Sequence, residues 1–479
     1  MSGDFSRDTS RAAQLARYTR VLLQQGRPLL DAEFNEQSAI HHDLLRTFIA
    51  DMVGSGWRPA EESFRIIMPG APAKSTNFKI TKGHFYVDGI LCDNPVDCTY
   101  VDQPFRPKPV PALVATGNFV AYIECWERHL CAVQQPALRE IALGGPDTAS
   151  RAQIVWQVRV ATAKWVEDQL AQLNAALDVR INAEVNKDEK KSLTSLKGAL
   201  NEKTEALSKL IGKKLSKTDD DDVSTASEAW FEALAAAPPR LRAMAKRDAS
   251  DNEACSISPD SIYRGRENQL YRVEIHEGGT LAGDVKPTFK WSRENGSVLF
   301  AVQSGKSIAV AAPDGGGVVV TLTIPLETLG HDRRTGLCVG DWVEVTSESF
   351  ELEALAPPLG QVKRIDRTRR SVEVEMVKVK RTFDFDTCTL LRRWDQTEHL
   401  DANGTVVVAE VNGTNAWTPL ERGVQIQFQP GGVYRTGDYW LIPARVASGD
   451  VLWPQVADVP SFVAPDGITR HRAAIGHGS

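Results

Sequence analysis

Acidic and histidine side chains come close together at two places where general acid–base chemistry could be built. In "RGRENQLYRVEIHEGG" (residues 264–279), Glu274 and His276 are two positions apart, so in a strand they share one face, with Glu267 upstream. The same spacing suits a salt bridge to a neighbouring strand. Because no third partner is placed beside them, the segment favours structural pairing over catalysis. The segment "WERHL" (126–130) is interpreted in the same way.

Motifs for other common chemistries do not occur in the sequence. There is no phosphate-binding G-x-x-x-x-G-K-[ST] loop, no G-x-S-x-G nucleophile turn and no H-E-x-x-H zinc motif. His41 and His42 are adjacent, so on a helix they point about 100° apart and cannot chelate one ion together. The seven cysteines lack the spacing of a zinc knuckle and are expected to be buried free thiols. We therefore predict no catalytic residue, no metal site and no cofactor.

The bulk composition is that of a globular chain with several domains. The 479 residues are 42% hydrophobic and 25% charged, which is enough to form packed cores. The net charge of −6 lacks the basic excess typical of nucleic-acid binding. No apolar run approaches the roughly 20 residues of a membrane span, and residues 1–10 do not resemble a signal peptide. We expect cytoplasmic synthesis, with no nucleic-acid partner and no membrane insertion.

Alternating apolar and polar residues predict β-structure in most of the chain. The segment "NFKITKGHFYVDGILCDN" (77–94) alternates around Asp88-Gly89, which is the signature of a hairpin. Residues 118–130 and the start of 151–165 predict two further strands. From about residue 262 onwards strand patterns resume, and 340–379 resembles a small barrel or sheet.

Between these strands, residues 161–215 have a helical composition with no proline and abundant Ala, Leu, Lys and Glu. Two apolar seams predict an antiparallel helical hairpin that turns near residues 186–190. The seams consist of Leu170, Leu173, Leu177 and Ile181, and of Leu193, Leu196, Leu200, Leu207 and Ile211. The acidic run Asp219–Asp222 and Pro238-Pro239 predict loops that close the insert. We expect a self-contained hairpin that a short Gly/Ser linker can replace without unfolding the β domains.

The predicted fold class is therefore α+β, mostly β, with several small antiparallel β domains, an N-terminal helix and an inserted helical hairpin. The predicted units are residues 1–58 (arm and helix), 59–160 (β), 161–250 (helical insert and linker), 251–335 (β) and 336–479 (a barrel-like β domain with C-terminal strands).

The N-terminal region joins a polar arm to a long helix. Apolar residues at steps of three and four predict a helix from Asp31 to Val53, with Asp31 as N-cap and Gly54 after its end. The arm, residues 2–14, has no core of its own, and Gly26-Arg27-Pro28 predicts a rigid turn between the two. Removing residues 2–14 is expected to change the free energy of unfolding by no more than about 1 kcal/mol.

Several segments in the same order resemble a family of uncharacterised proteins encoded in bacterial gene clusters for phage-tail-like contractile injection systems. They are "GDFSRDT", "VLLQQGRPLLDAEFNEQ", "WERHL", "REIALGGPDTASRAQIVWQVRV", "YRGRENQLYRVEIHEGG", "FKWSRENGSV", "LLRRWDQ" and "GDYWLIPARV". The resemblance covers nearly the whole chain outside residues 161–215. It implies a structural component of the particle rather than an enzyme, and it supplies no catalytic residues. The second of these segments is also similar to attachment regions of phage baseplate and tail-fibre proteins.

We interpret the N-terminal region as a joint to another protein, because its polar side chains suit a polar interface. The predicted interface residues are Arg7, Arg20, Gln25, Arg27 and Asn35. The alternative is that this region only folds back on its own domain. The expected function is a baseplate, fibre or cap-adaptor element of a contractile particle.

Two other functions were weighed against this one. The first is a receptor- or glycan-binding module, which an exposed aromatic cluster in a groove would favour. The second is a cryptic hydrolase, which a carboxylate pair in a deep cleft would favour. The expected partners are other subunits of the particle, with a homo-oligomer and a cell-surface receptor or glycan as further candidates. The chain would be assembled in the cytoplasm and become extracellular with a released particle.

Overall fold

The computed structural model describes residues 1–5, 17–69, 77–108, 118–184, 186–212, 220–245, 263–305, 308–310, 319–377, 384–411 and 417–478. The predicted class is confirmed: the fold is α+β and mostly β, with small antiparallel sheets and an N-terminal helix. Its helices in the described ranges are α1 (Asp31–Val53), α2 (Ala163–Ala183), α3 (Lys187–Gly212), α4 (Asp220–Ala235) and α5 (Glu348–Glu353).

The strands of the N-terminal half are β1 (Gly56–Trp57), β2 (Ile66–Ile67), β3 (Lys79–Ile80), β4 (Gly83–Val87), β5 (Ile90–Asn94), β6 (Cys98–Thr99), β7 (Phe119–Leu130), β8 (Arg151–Ala161) and β9 (Leu241–Ala245). Those that follow are β10 (Gln269–Glu277), β11 (Thr288–Ser292), β12 (Leu299–Ala301), β13 (Ala309–Val310), β14 (Val319–Pro325), β15 (Trp342–Thr346), β16 (Leu359–Asp366), β17 (Ser371–Val377) and β18 (Leu390–Trp394). The last are β19 (Val406–Val407), β20 (Thr418–Glu421), β21 (Val424–Phe428), β22 (Tyr439–Arg445), β23 (Asp450–Val451), β24 (Gln455–Val456), β25 (Val459–Pro460) and β26 (His471–Gly478).

The first group of strands encloses an aromatic-rich core. β7 lies between β8 and β26, antiparallel to both, so a strand near residue 478 completes a sheet begun near residue 119. The small sheets β1-β4-β5 and β2-β3-β6 share a core with this sheet, in which Phe64 contacts both Phe85 and Trp156. The β4–β5 turn has Asp88 and Gly89 at φ of 47° and 75°, as the predicted hairpin requires.

Two further groups of strands follow. The five-stranded sheet β19-β11-β10-β22-β23 and the sheet β20-β21-β9 enclose a second core around Phe289, Phe428 and Trp440. A seven-stranded sheet, β12-β18-β15-β16-β17-β14-β13, encloses a third core. β12 lies at one end of this sheet and β14 is next to the last strand at the other end. The two come close together: the Gln303 amide, just after β12, donates to the Pro325 carbonyl of β14 at 2.9 Å. Residues 340–379, for which the sequence predicts a small barrel or sheet, supply strands β15, β16 and β17 of this sheet, and further strands lie on either side.

The sheets combine strands from different predicted units. β26 belongs to the range 336–479 but completes the sheet of β7 and β8. β9, from the range 161–250, pairs with β21, and β10 pairs with β22 across two predicted units. Spatial grouping therefore does not follow sequence order, and the unit boundaries stay a prediction.

The helical insert confirms the hairpin but corrects two expectations. α2 and α3 pack through the predicted seams, yet Asp220, Asp221 and Asp222 of the acidic run that was predicted to be a loop lie in α4, while Asp219 lies outside the described residues. Carboxylates in a first turn are favourable because they face the positive end of the helix dipole. The insert also lacks a core of its own. Trp165 and Phe231 pack on Tyr122 of β7, so helices and sheet share one core.

The ends of α1 agree with the prediction except for its cap. The helix ends before Gly54, whose φ is 84°. Its N-cap is Leu30 rather than Asp31, and the Glu33 carboxylate accepts a 3.2 Å hydrogen bond from the Leu30 amide. The Glu33 side chain thus satisfies the backbone amide of Leu30. A serine or aspartate at residue 30 could not do so, because its own side chain would not reach that amide.

Candidate functional site

The predicted interface residues lie on one exposed part of the molecule. Residues 17–30, which we call the connector, lead into α1, and Arg20, Gln25, Arg27 and Asn35 are all exposed there. Arg7 lies outside the described residues. The structure therefore brings four of the five predicted residues onto the same N-terminal element.

The connector turns back along the first turns of α1. The Val21 amide donates a 2.7 Å hydrogen bond to Gln37 Oε1, and Gln37 Nε2 is 2.9 Å from His41 Nε2. The reversal occurs at Gly26, whose φ is 70°, a conformation that glycine adopts without steric strain. The Val21–Gln37 hydrogen bond thus joins the connector to α1, while most side chains of the connector are exposed.

Ten large apolar side chains on the connector and α1 are exposed to solvent by between 51% and 72%. They are Tyr18, Leu22, Leu23, Leu29, Leu30, Phe34, Leu44, Leu45, Phe48 and Met52. Of the 23 residues in α1, Ile40 alone is classed as buried. Most of the apolar residues that predicted the helix thus do not pack on the rest of the described chain, although Ile40 is buried and Ile49 is half-buried.

The exposed apolar residues of α1 form a stripe along one side of the helix, with Phe34 near its start and the others in its C-terminal half. Phe34, Leu45, Phe48 and Met52 are separated by 11, 3 and 4 residues, so all four lie within about 60° of one another around a helix of 3.6 residues per turn. Leu44 borders this stripe. We call these five side chains together with the five exposed apolar residues of the connector the N-terminal apolar surface. Sequence reasoning found the periodicity but named polar residues as the interface, since periodicity alone does not tell which partner covers it.

The other side of α1 is fixed to the body of the protein. Gly89 in the β4–β5 turn lies so close to the Arg46 carbonyl that an added Cβ would be 2.2 Å from its oxygen. Arg46 Nη2 is 3.2 Å from His471 Nε2, and His471 Nδ1 is 2.7 Å from the Asp88 carboxylate. Two strand ends thus hold the helix at its C-terminal half.

The first five residues do not behave as the sequence analysis predicts. The Gly3 amide donates to the Asn295 carbonyl at 3.1 Å, and Asn295 Nδ2 donates to the Gly3 carbonyl at 2.9 Å. Phe5 stacks on His129 with ring centroids 5.1 Å apart. The beginning of the predicted arm therefore packs on the chain's own body, and this correction limits the joint to the residues that follow.

Met1, Ser2 and His129 border a cleft of about 100 Å³ where the three strand groups meet. Five segments that carry the family resemblance reach it, and they contribute Arg128, Glu274, Lys290, Arg392 and Tyr439 respectively. Its centre is a chain of buried charges. Arg272 Nε is 2.6 Å from Glu274, and Lys290 Nζ lies 3.3 Å from Glu274 and 2.8 Å from Glu344. This places strands β10, β11 and β15 in one ion-pair network.

The ion-pair network determines the charge state of Glu274, the residue considered for acid–base chemistry. Burial alone would raise the pKa of Glu274, but the charges of Arg272 and Lys290 outweigh it and lower the pKa to about 2. Lys290 Nζ occupies the space between Glu274 and Glu344, where a glycosidase needs the scissile bond. With a pKa of about 2, Glu274 is ionised near neutral pH and is not a protonated general acid.

His276 and Glu267 do not complete a catalytic set with Glu274. His276 is buried, and burial lowers its pKa well below the usual range, so the ring is neutral. Glu267 is half-exposed and its carboxylate is 3.6 Å from Arg334. In "WERHL", Arg128 pairs with Glu348 at 2.5 Å, while burial lowers the pKa of His129 to about 4. Both segments thus form the structural pairs favoured by their spacing.

Other candidate sites give no ligand set. Six cysteines are free thiols; Cys92, Cys125 and Cys388 are buried and the other three are half-buried, while Cys255 lies outside the described residues. No group of three His, Cys, Asp or Glu residues in the described ranges could hold a metal ion. None of the helices in the same ranges has the length and hydropathy of a membrane span.

Comparison with known proteins gives a family but no functional relative. No curated protein and no solved structure matches the chain. A family model matches residues 1–479, and the chain therefore belongs to a family of unknown function (DUF6519).

Proposed function

We propose that this chain is a structural subunit of a phage-tail-like contractile injection particle, in which the connector and α1 dock onto another protein. The observation that carries the docking role is the N-terminal apolar surface, on an element fixed to the body by Arg46 and the β4–β5 turn. The assignment to a contractile particle is supported by the family resemblance of several segments that occur in the same order along the chain. On this proposal the chain is assembled in the cytoplasm and leaves the cell with the particle.

The size of the apolar surface supports a docking role. Ten side chains exposed by half or more contribute on the order of 100 Å² each, or roughly 1,000 Å² together. Monomeric proteins rarely expose apolar patches larger than about 300–600 Å², and larger patches usually mark interaction sites. A stable interface buries about 800 Å² on each partner, so this surface is large enough for one.

The polar groups around the surface fit the rim of an interface. Arg20, Gln25, Arg27 and Asn35 are exposed beside the apolar side chains. Interfaces typically combine an apolar centre with a polar rim in which arginine is frequent. The predicted residues therefore retain a role at the edge, while the apolar side chains supply the centre.

A receptor- or glycan-binding role is a second candidate with one observation in its favour. Trp57 is 40% exposed and lines a groove of about 650 Å³ together with Arg58, Asp221 and His477. An exposed indole beside charged groups is the chemistry that a sugar ring contacts. Trp57→Ala should abolish binding to a glycan array if this role applies and leave particle assembly unchanged.

The docking proposal is tested by co-purification. Wild-type chain and the double variant Leu45→Glu/Phe48→Glu would be expressed with the rest of the gene cluster, and particles would be purified by density gradient. Both side chains are exposed, so the variant should melt at the wild-type temperature but no longer sediment with particles. Ile141→Glu/Leu143→Glu is a matched control, because those two residues are also exposed. Equal particle occupancy of all three chains would refute the proposal.

A further inference from the structure

We infer that the N-terminal apolar surface binds a second copy of this chain, with the connector of each copy seated on α1 of the other. The inference rests on the proposed function, because it names the occupant of the same surface. It follows from the complementary charges of the two elements and from the half of α1 that its own connector does not reach.

The connector and α1 carry opposite charge. Residues 17–30 contain Arg17, Arg20 and Arg27 and no acidic residue. In α1 there are five carboxylates and one arginine, so the helix is acidic. Both elements also expose leucine or aromatic side chains. Each is therefore suited to the other in charge as well as in polarity, and charge complementarity of this kind selects partners and sets register.

The contact within one copy uses only part of this complementarity. The connector meets its own α1 at Gln37, in the first turns of the helix. The C-terminal half of the stripe, with Leu45, Phe48 and Met52, stays exposed, as does Asp51 beside it. The connector's own leucines are exposed too, so the intramolecular contact does not bury them.

A reciprocal exchange satisfies both elements at once. In a two-fold dimer each copy offers its basic connector to the other copy's acidic α1, at the exposed half that carries Asp51, and the two contacts are identical. The roughly 1,000 Å² of apolar surface on each copy is sufficient for a stable dimer. Residues 6–16 contain only Leu15 as a large apolar residue, too little to cover ten exposed side chains.

The test measures self-association of the purified full-length chain by sedimentation velocity. One variant reverses the connector charges, Arg20→Glu/Arg27→Glu, and another reverses the helix charge beside the stripe, Asp51→Arg. Each variant alone should self-associate at least tenfold more weakly than wild type, because like charges then face each other. A 1:1 mixture of the two variants should regain association, because opposite charges meet at both contacts. Arg367→Glu and Asp147→Arg reverse exposed charges elsewhere and should leave association unchanged.

The outcomes separate this inference from the proposed function. A purified wild-type chain that stays monomeric at tens of micromolar would overturn the inference. Self-association that ignores either reversal, or a mixture that fails to recover, would also overturn it, and would point to pairing of stripe with stripe or to another surface. The proposed function is judged separately by particle occupancy. Monomeric chain whose stripe variant is lost from particles would refute the exchange and retain the docking role.

Discussion

Gly3 and Asn295 exchange two hydrogen bonds, of 3.1 Å and 2.9 Å, next to Met1 and Ser2, which line the cleft where the three strand groups meet. This pairing attaches the start of the chain to the β11–β12 turn. It separates residues 1–5, which belong to the chain's own fold, from the connector and α1, whose apolar side chains face solvent.

Gly3→Val should therefore disturb the fold locally. A Cβ at residue 3 would lie 2.3 Å from His129 Cε1, so valine cannot enter without displacing the ring. We expect destabilisation of about 1–3 kcal/mol, or release of residues 1–5 from the cleft. Hydrogen exchange of the N-terminal peptide would show faster exchange in either case. Gly198→Val, at an open position of α3, is the matched control and should not change that peptide. An unchanged exchange rate in Gly3→Val would contradict this packing.

His129 should make stability depend on pH in a defined window. Burial lowers the pKa of His129 from 6.5 to about 4, so between these values the unfolded chain binds a proton that the folded chain does not. The contribution of neutral His129 is present above pH 6.5 and is lost as the pH falls toward 4, by up to roughly 3 kcal/mol. Denaturant unfolding at several pH values, compared between wild type and His129→Asn, isolates this effect. A constant difference between the two from pH 4 to pH 7 would contradict the buried state of His129.

Glu124 should be the most sensitive carboxylate in the first strand group. It lies buried on β7 and pairs with Arg159 at 3.1 Å, Arg470 at 3.0 Å and Arg472 at 2.6 Å, which join β8 and β26 to it. Burial opposes its charge, but the three arginines outweigh burial and hold the pKa of Glu124 well below its usual range. Glu124→Gln leaves buried guanidinium groups without their carboxylate and should destabilise by about 3–5 kcal/mol.

The control for that prediction is another glutamate in an ion pair. Glu373 pairs with Arg364 at 2.5 Å, but the Arg364 side chain is 69% exposed. Exposed pairs contribute about 1 kcal/mol or less, so Glu373→Gln should be nearly neutral. Thermal melts of both variants give the comparison. Equal melting temperatures for the two variants would show that the Glu124 cluster does not join the three strands.

Replacing residues 161–215 by a Gly/Ser linker should abolish cooperative melting, contrary to the expectation from sequence. The replacement removes Trp165 from the side of Trp230 and Tyr122 and exposes a core that helices and sheet share. Calorimetry would report the loss. Insertion of a few glycines and serines at residues 184–186, between α2 and α3, is the control and should keep a single transition. A cooperative transition in the linker variant would contradict this prediction and support the expectation that the hairpin is self-contained.

The sequence predicts local features well because their causes are local. Spacing of apolar residues predicts α1 at both ends, and Asp88-Gly89 predicts the β4–β5 turn. The same reasoning fails where the cause is distant. Glu274 and His276 share a face as predicted, but the partner Lys290 and its second carboxylate Glu344 come from other strands. Nothing in the spacing of residues 264–279 identifies them.

The candidate site shows the same limit. An apolar stripe at helical spacing is compatible with a core or with a partner, since both bury it. Only the position of α1 decides between a core and a partner. The helix is held to the body at Arg46, while Phe34, Leu45 and Phe48 face away from it. The acidic start of α4 is a different case: four consecutive aspartates suit a loop or a helix N-terminus equally, and the apolar residues that follow decide.

The docking role of α1 is tested most directly by a photo-crosslinking amino acid placed at Phe48 and, as control, at Ile141, both exposed in the isolated chain. Purified particles would be irradiated, and crosslinked products identified by mass spectrometry. The account predicts that Phe48 crosslinks in high yield to one protein, either another subunit or a second copy of the chain, and that Ile141 does not. If Phe48 gives no more product than Ile141 in particles that contain the chain, α1 is not the docking element.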